Sequence, residues 1–517
     1  MTAADDAVRV SRRVVLAAGA GAALASCGMR GSGGGQGSAT GSSSGSAGAP
    51  SSAGGDASAL PQPELRRASG TTWSTSLHAT GGQADVGGRN LAVMTYEGSV
   101  PGPTIKVDPG TTLEITLRND LEPSSGGGMG MGGMGGNGTT TNLHTHGLHV
   151  SPDGDSDNVF LAVDQGAEQR YRFAIPTNQW GGLNWYHPHH HGTVSAQVLG
   201  GMSGALIVTG ALDQVPEVAA APEAVLVLQR LQPNAGMVAQ MASMHDNAFL
   251  SSNGNPTFTV NGVVRPTITV RPSSVQRWRI VQADPIDYVD LALVDDAGDP
   301  VPGSLHVLAR DGLTLPHVQT VDHELLVPGG RLDVLVQMPS SSGTFQLVGR
   351  PVNGFGQPTI TYFEVRVDGS PAPMAIPTTL PAALDPVPAE AVVTRRTVQY
   401  GSWGNAMEIN GRSFGDDPDQ MELRVDSVEE WTVQNLSDQD HVFHIHTNPF
   451  YVVARNGEAL ADPQWRDTFP IPAATGQDAP GSITVRFRPT DFRGRMVQHC
   501  HILPHEDAGM MGVVTLV

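Results

Sequence analysis

The stretch HCHILPHEDAGMM, residues 499–511, sets Cys500 between His499 and His501, with His505 and Met510 following. His441, in DHVFHIH three residues before His444, offers another imidazole. Two His, one Cys and a weak axial Met are the ligand set of an electron-transfer copper. A structural zinc at Cys500 would explain neither Met510 nor the flanking histidines. Three more His-x-His pairs lie upstream: His144/His146 in NLHTHG, His187/His189 in WYHPHHHG and His444/His446 in HVFHIHTNPF. Alternate residues of a strand share one face, so each pair can present two imidazoles to a common site. A mononuclear zinc needs three or four ligands; eight neutral imidazoles suit a cluster of several copper ions. Cys500 faces away from His499 and His501 on the same strand. An electron arriving at its sulfur is therefore separated from the histidine cluster only by covalently linked neighbours.

The elements that must position these groups are short strands. The 517 residues carry 63 Gly and 38 Pro, with runs of Val, Ile, Leu and Thr between turns. That length suits about three domains of roughly 150 residues. PTIKVDPGTTLEITLRN (103–119), PTITVRPSSVQRWRIV (266–281) and MELRVDSVEEWTVQN (421–435) share one pattern of alternating strand, turn and second alternating strand. They recur at domain-sized spacing, which predicts an all-β chain of three β-sandwich or barrel units. The expected borders lie near 212 and 377, giving units over 65–212, 213–377 and 378–517. A second repeat relates only the outer units: HPHHHGTVSAQVLGGMSGALIV (187–208) and HCHILPHEDAGMMGVVTLV (499–517) both run from His-x-His through a loop to Gly-Met-x-Gly and an apolar strand. The chemistry is thus expected in the outer units, with the middle one as a bridge.

The net charge of −20, from 30 basic and 50 acidic side chains, argues against nucleic acid as a partner, since such a surface repels phosphates. Two cysteines build no disulfide framework. The other, Cys27, follows Arg12-Arg13, an apolar run over 14–25 and Leu24-Ala25-Ser26. This is the order of a twin-arginine export signal (1–27) ending in a lipobox. Residues 28–64 are expected to form a Gly/Ser-rich flexible tether. The expectation is an exported protein of the cell envelope, held to a membrane only by a lipid on Cys27.

The four His motifs, in order and spacing, resemble those of the multicopper oxidases, over nearly the whole chain from about residue 65. The resemblance implies three consecutive cupredoxin-like domains (Greek-key β-sandwiches or barrels) and four copper ions. It makes His441, Cys500, His505 and Met510 the type 1 ligands and places the type 2 copper on His144 and His444. The type 3 pair falls to His146, His187, His189, His446, His499 and His501. The implied activity is one-electron oxidation of a reducing substrate at the type 1 site and four-electron reduction of O2 to water at the cluster. The family supplies protons from buried carboxylates. Glu506 matches one such position, and Asp157 in HVSPDGDSDNVF is a candidate for another, with Asp155 as the alternative; a turn residue satisfying loop backbone is the competing role for both aspartates.

The expected substrates are phenols and aromatic amines, with Cu(I) as the alternative, as in the bacterial cuprous oxidases that HCHILPHEDAGMM resembles. Met129, Met131 and Met134 in a Gly-rich loop, and Met237, Met241 and Met244 at helical spacing, offer thioethers to Cu(I). The second group equally suits a helix packing a Met stripe on a core. A non-catalytic copper-binding envelope protein is the reading from another class, opposed by the completeness of the ligand set. A two-domain nitrite reductase is opposed by three repeats and four His pairs. Of the further histidines, His191 is expected to hydrogen-bond a ligand and His190 to be exposed. His78, His149, His245, His306, His317 and His323 are expected to be structural or surface residues.

Overall fold

The structure, a computed structural model, describes residues 60–122, 138–232, 256–352, 358–404, 406–415 and 417–517. Cys27, the chain before residue 60 and both methionine groups lie outside the described residues. The regular structure of the described chain is mostly strand, in six sheets, two from each third of the sequence.

The first third pairs Leu65–Arg67, Thr104–Val107, Gly204–Val208, Gly182–His187 and His144–His146 in one sheet. Arg89–Tyr96, Thr72–Val86, Thr112–Asp120 and Glu168–Ala174 form the other. The middle third has sheets of six and five strands, and the last third has two of five. The recurring strand-turn-strand pattern is the corner at which the chain changes sheets. Thr104–Val107 runs parallel to Gly204–Val208, whereas Thr112–Asp120 runs parallel to Thr72–Val86 in the opposite sheet. Thr267–Val270 and Val275–Gln282 do the same in the middle unit, as do Gln420–Leu423 and Glu429–Asn435 in the last.

Period-2 alternation decides which side of each strand is buried. Leu113, Ile115 and Leu117 enter the first core, Trp278 and Ile280 the second, and Trp431 and Val433 the third. Each such side chain contributes about 1.5–3 kcal/mol by leaving water. At the ends of two of these strands the inward residue is a buried asparagine. The Asn119 amide donates to the carbonyls of Thr139 and Val163, both at 2.7 Å. Asn435 donates to Gln439 at 2.6 Å and accepts from the Ser437 hydroxyl at 2.8 Å. The second asparagine thereby orders the loop that leads into His441.

The outer units share one further device. A short helix, Val194–Leu199 in the first and Leu503–Asp507 in the third, follows the last His-bearing strand. Each leads to a glycine, Gly201 at φ +120° and Gly509 at φ +118°. This backbone is essentially restricted to glycine, and it turns the next residue inward. In the first unit that residue, Met202, is core; in the third, Met510 shares a buried cluster with Cys500.

Candidate metal centre

Two strands of the last unit and the helix after them assemble the first site. His441 begins the strand His441–Ile445, and Phe443 lies opposite Cys500 at the end of Gly494–Cys500. The Leu503–Asp507 helix returns His505 to the same place. His441 Nδ1 and His505 Nδ1 lie 3.2 Å apart, and the Cys500 sulfur is 3.6 and 3.7 Å from them. All three side chains are buried, as is Met510. The Cys500 N–H donates to the Met510 carbonyl at 3.1 Å, drawing the two residues together. His441 Nε2 meets the Ser437 hydroxyl at 2.8 Å, so its other nitrogen faces the sulfur. Burial, with smaller opposing hydrogen bonds and a contribution from Glu506, pushes the Cys500 thiol up to about 12. A bound cation would favour the thiolate.

The cluster is built twice over by the same register. His144 lies opposite His187 in the first unit, and His444 opposite His499 in the third. The two units face each other: His144 stacks on His446 at 3.9 Å and His146 on His444 at 4.0 Å, both pairs within 14° of parallel. The Nε2 atoms of His189, His446 and His499 form a triangle with sides of 3.2, 3.2 and 3.3 Å. His501 Nε2 lies 3.2 Å from His146 Nδ1.

The outward nitrogens explain which atoms point in. His144 Nδ1 donates to Asp157 at 2.9 Å, His187 Nδ1 to the Pro188 carbonyl at 2.8 Å and His444 Nδ1 to the Asp467 carbonyl at 2.7 Å. The Nε2 atoms of these three rings are buried without a hydrogen-bond partner. Unsatisfied buried nitrogens are costly unless something occupies the site. All eight rings are held below the usual imidazole range by burial, His187 to about 3 and His499 to about 4. Neutral rings with free lone pairs converging from two units fit copper ions, as do the paired imidazoles and thiol beside them.

The two proposed proton carriers both lie against the cluster. Asp157 is buried, accepts from the Thr145 N–H at 2.8 Å, and is raised to about 7 by burial against the pull of those Thr145 hydrogen bonds. Asp155 is exposed: its carbonyl is taken by the Arg172 N–H at 2.7 Å on a strand edge. The Glu506 carboxyl lies 3.2 Å from His499 Nδ1 and 3.5 Å from His189 Nδ1. Burial, then the neighbouring Asp507, holds it well above the usual carboxylate range. Asp507 itself caps the Val194–Leu199 region, accepting from Gly192 and Ser195 N–H at 2.7 Å.

These shifts set the pH response of the apoprotein. The buried imidazoles stay neutral when folded but take up protons when unfolded below about 6.5. Their contribution to stability is therefore present above that value and lost as pH falls. Asp157, Asp284, Asp287, Asp440, Asp467, Glu506 and Asp507 are raised on burial and act in the opposite sense, but the eight rings, joined by His190, His191 and His306, outnumber them. The apoprotein should melt at a lower temperature at pH 5 than at pH 7 by circular dichroism; an equal or higher midpoint at pH 5 would contradict this balance.

Three histidines differ in their surroundings from the cluster. His191 is half-buried against Phe414, and neither of its nitrogens has a hydrogen-bond partner, so the expected bond to a ligand is not made. His190 is half-buried rather than exposed. His149 ties the outer units together, with Nδ1 2.8 Å from the Thr447 carbonyl and Nε2 2.9 Å from Asp491. Sequence reasoning missed Asp467. Its carboxylate lies 3.3 Å from His146 Nε2 and is paired with Arg331 of the middle unit. Its one sequence signal is an acid beside Arg466, in WRDTF between two strands. A cleft lined by Trp180, Leu313, Thr447 and Asn448 reaches His144 and His444. Its volume of about 10 Å³ has room for roughly one water.

Two family models, both described as multicopper oxidase, match residues 136–212 and 385–516. The chain is similar to a multicopper oxidase of Staphylococcus haemolyticus, at 24% identity over 81% of this chain and 83% of that one. It is similar to a laccase of Haloferax volcanii, at 26% identity over 81% of this chain and 77% of that one. Among solved structures it resembles a bacterial laccase-like multicopper oxidase from Ochrobactrum sp., at 25% identity with a TM-score of 0.70, covering 89% of this chain and all of that one. That protein's description gives oxidase activity towards lignin model compounds and lignosulfonate.

Proposed function

The chain belongs to the multicopper oxidase family, and on that premise we propose that it is a laccase-like oxidase of phenolic and aromatic-amine substrates. The observation that carries this reading is the strand ending at Cys500. One of its faces gives a sulfur to the site of His441 and His505; the other gives His499 and His501 to the cluster. Four bound copper ions would store single electrons and reduce dioxygen to two waters, a reaction that consumes four electrons and four protons. Everything else falls to the protein. His499 and His501 connect covalently to Cys500, so electrons need no diffusing carrier. The cleft to His144 and His444 has room for about one water and is too small for an aromatic reductant. The Asp157 and Glu506 carboxyls lie beside cluster imidazoles, and burial raises both towards the protonated form.

Cu(I) oxidation would need soft groups to capture the ion. Among the described residues no methionine is exposed, so that alternative rests on Met129, Met131 and Met134 and on Met237, Met241 and Met244. Oxygen uptake by the copper-loaded protein on a panel of phenols, aromatic amines and Cu(I) separates the readings, repeated with 126–138 deleted. Faster uptake with phenols and no effect of the deletion are the expected results. Uptake with Cu(I) alone, lost on deletion, would replace the laccase reading with the cuprous one. We also propose export and lipid anchoring at Cys27, supported by the twin-arginine pair and the lipobox order.

A further inference from the structure

The middle unit holds none of the predicted copper ligands, yet it places one buried charge against the cluster. Arg331 opens the strand Arg331–Gln337 and is fully buried. Each of its five N–H donors has an acceptor. Nε donates to the Leu183 carbonyl at 3.4 Å, and Nη1 to the Gly329 carbonyl at 3.0 Å and to Asp467 Oδ1 at 2.7 Å. Nη2 donates to the Asp311 carbonyl at 3.0 Å and to Asp467 Oδ2. These acceptors come from all three units, so the guanidinium can neither shift nor leave without breaking bonds to each.

Asp467 then faces the cluster twice. Its Oδ1 lies 3.3 Å from His146 Nε2 and accepts at 2.8 Å from the Thr468 hydroxyl, whose oxygen lies 3.2 Å from the same nitrogen. Its carbonyl accepts from His444 Nδ1 at 2.7 Å. His146 is the one ring of the eight that turns Nδ1 towards the other imidazoles. A neutral imidazole has one N–H and one lone pair, so a carboxylate at Nε2 keeps the proton there and leaves the lone pair on Nδ1.

We propose that Asp467, clamped by Arg331, is a positioning residue that sets the tautomer and direction of His146 and, through its carbonyl, of His444. The middle unit is thus an electrostatic part of the cluster rather than only a bridge. Arg331 fixes the carboxyl in place through two hydrogen bonds, and the carboxyl at Nε2 leaves Nδ1 of His146 to face the cluster. The inference rests on the copper reading of the cluster, and its test separates the two.

The test compares wild type, Asp467→Asn and the double variant Arg331→Gln/Asp467→Asn, which removes both buried charges together and protects the fold if the single variant fails. Copper is withdrawn by a competing chelator. Total copper per chain is followed by mass spectrometry, the Cys500 site by its blue absorption and the fold by the melting point of the apoprotein. Both variants should lose cluster copper at about 10–100-fold lower chelator concentration, with the blue absorption as resistant as in wild type. Equal loss from both sites would mean a merely structural role and overturn the proposal. So would wild-type cluster affinity in either variant. Wild-type protein that binds no copper at the cluster would instead overturn the family reading.

Discussion

Replacing Cys500 with serine should remove the blue absorption of the copper-loaded protein and lower phenol-dependent oxygen uptake by roughly three orders of magnitude or more. A serine hydroxyl is a hard, neutral donor where the site offers a soft thiolate between two imidazoles. The sulfur also belongs to the residue directly bonded to both His499 and His501. The histidine cluster itself should survive, because those two rings point to the opposite face of the strand, and their partners come from three other strands. Copper content should therefore fall by one ion per chain rather than four. The fold should persist as well: Cys500 packs in a large apolar core, and burying a hydroxyl there costs about 1–3 kcal/mol. Retained turnover in a colourless variant, measured with an oxygen electrode, would show that electrons reach the cluster by another route.

How much of this was legible in the chain depends on the distance over which each feature is encoded. His-x-His is a local signal, since strand alternation alone puts both rings on one face, and the antiparallel register of His144 with His187 needs only two strands to pair. Cys500 is similarly local, because its neighbours define its opposite face. The sandwich corners were legible because alternating apolar residues and turn residues repeat three times. Asp157 over Asp155 was not decided by spacing. The loop folds back so that Asp157 N–H donates to the Ser151 carbonyl at 3.0 Å, while Asp155 is spent on a strand edge. Asp467 and Arg331 were not legible at all. They are 136 residues apart, and each alone reads as an ordinary charge at a strand end. Only the meeting of three units makes them neighbours of His146. The same holds for His191, whose burial against Phe414 is set by packing between outer units and not by its place in HPHHH.

Glu506→Gln separates electron entry from proton supply. The carboxyl is fully buried beside His499 and His189, and burial raises it well above the usual carboxylate range, which favours its protonated form. Glutamine keeps the size and can still hydrogen-bond, but it has no proton to give. Oxygen reduction to water consumes one proton per electron, so the loss acts on the oxygen-reducing half alone. Turnover should fall by about 10²-fold or more, the usual contribution of a positioned acid. Copper content, blue absorption and the rate at which a phenol bleaches that absorption without oxygen should stay as in wild type. The helix that carries Glu506 also carries His505, so a distorted helix is the rival explanation, and it would alter the blue absorption and the bleaching rate together. Unchanged turnover in the variant would leave Asp157, on the other side of the cluster, as the acid that matters. The Asp157→Asn variant would then be the one in which turnover falls while anaerobic bleaching does not.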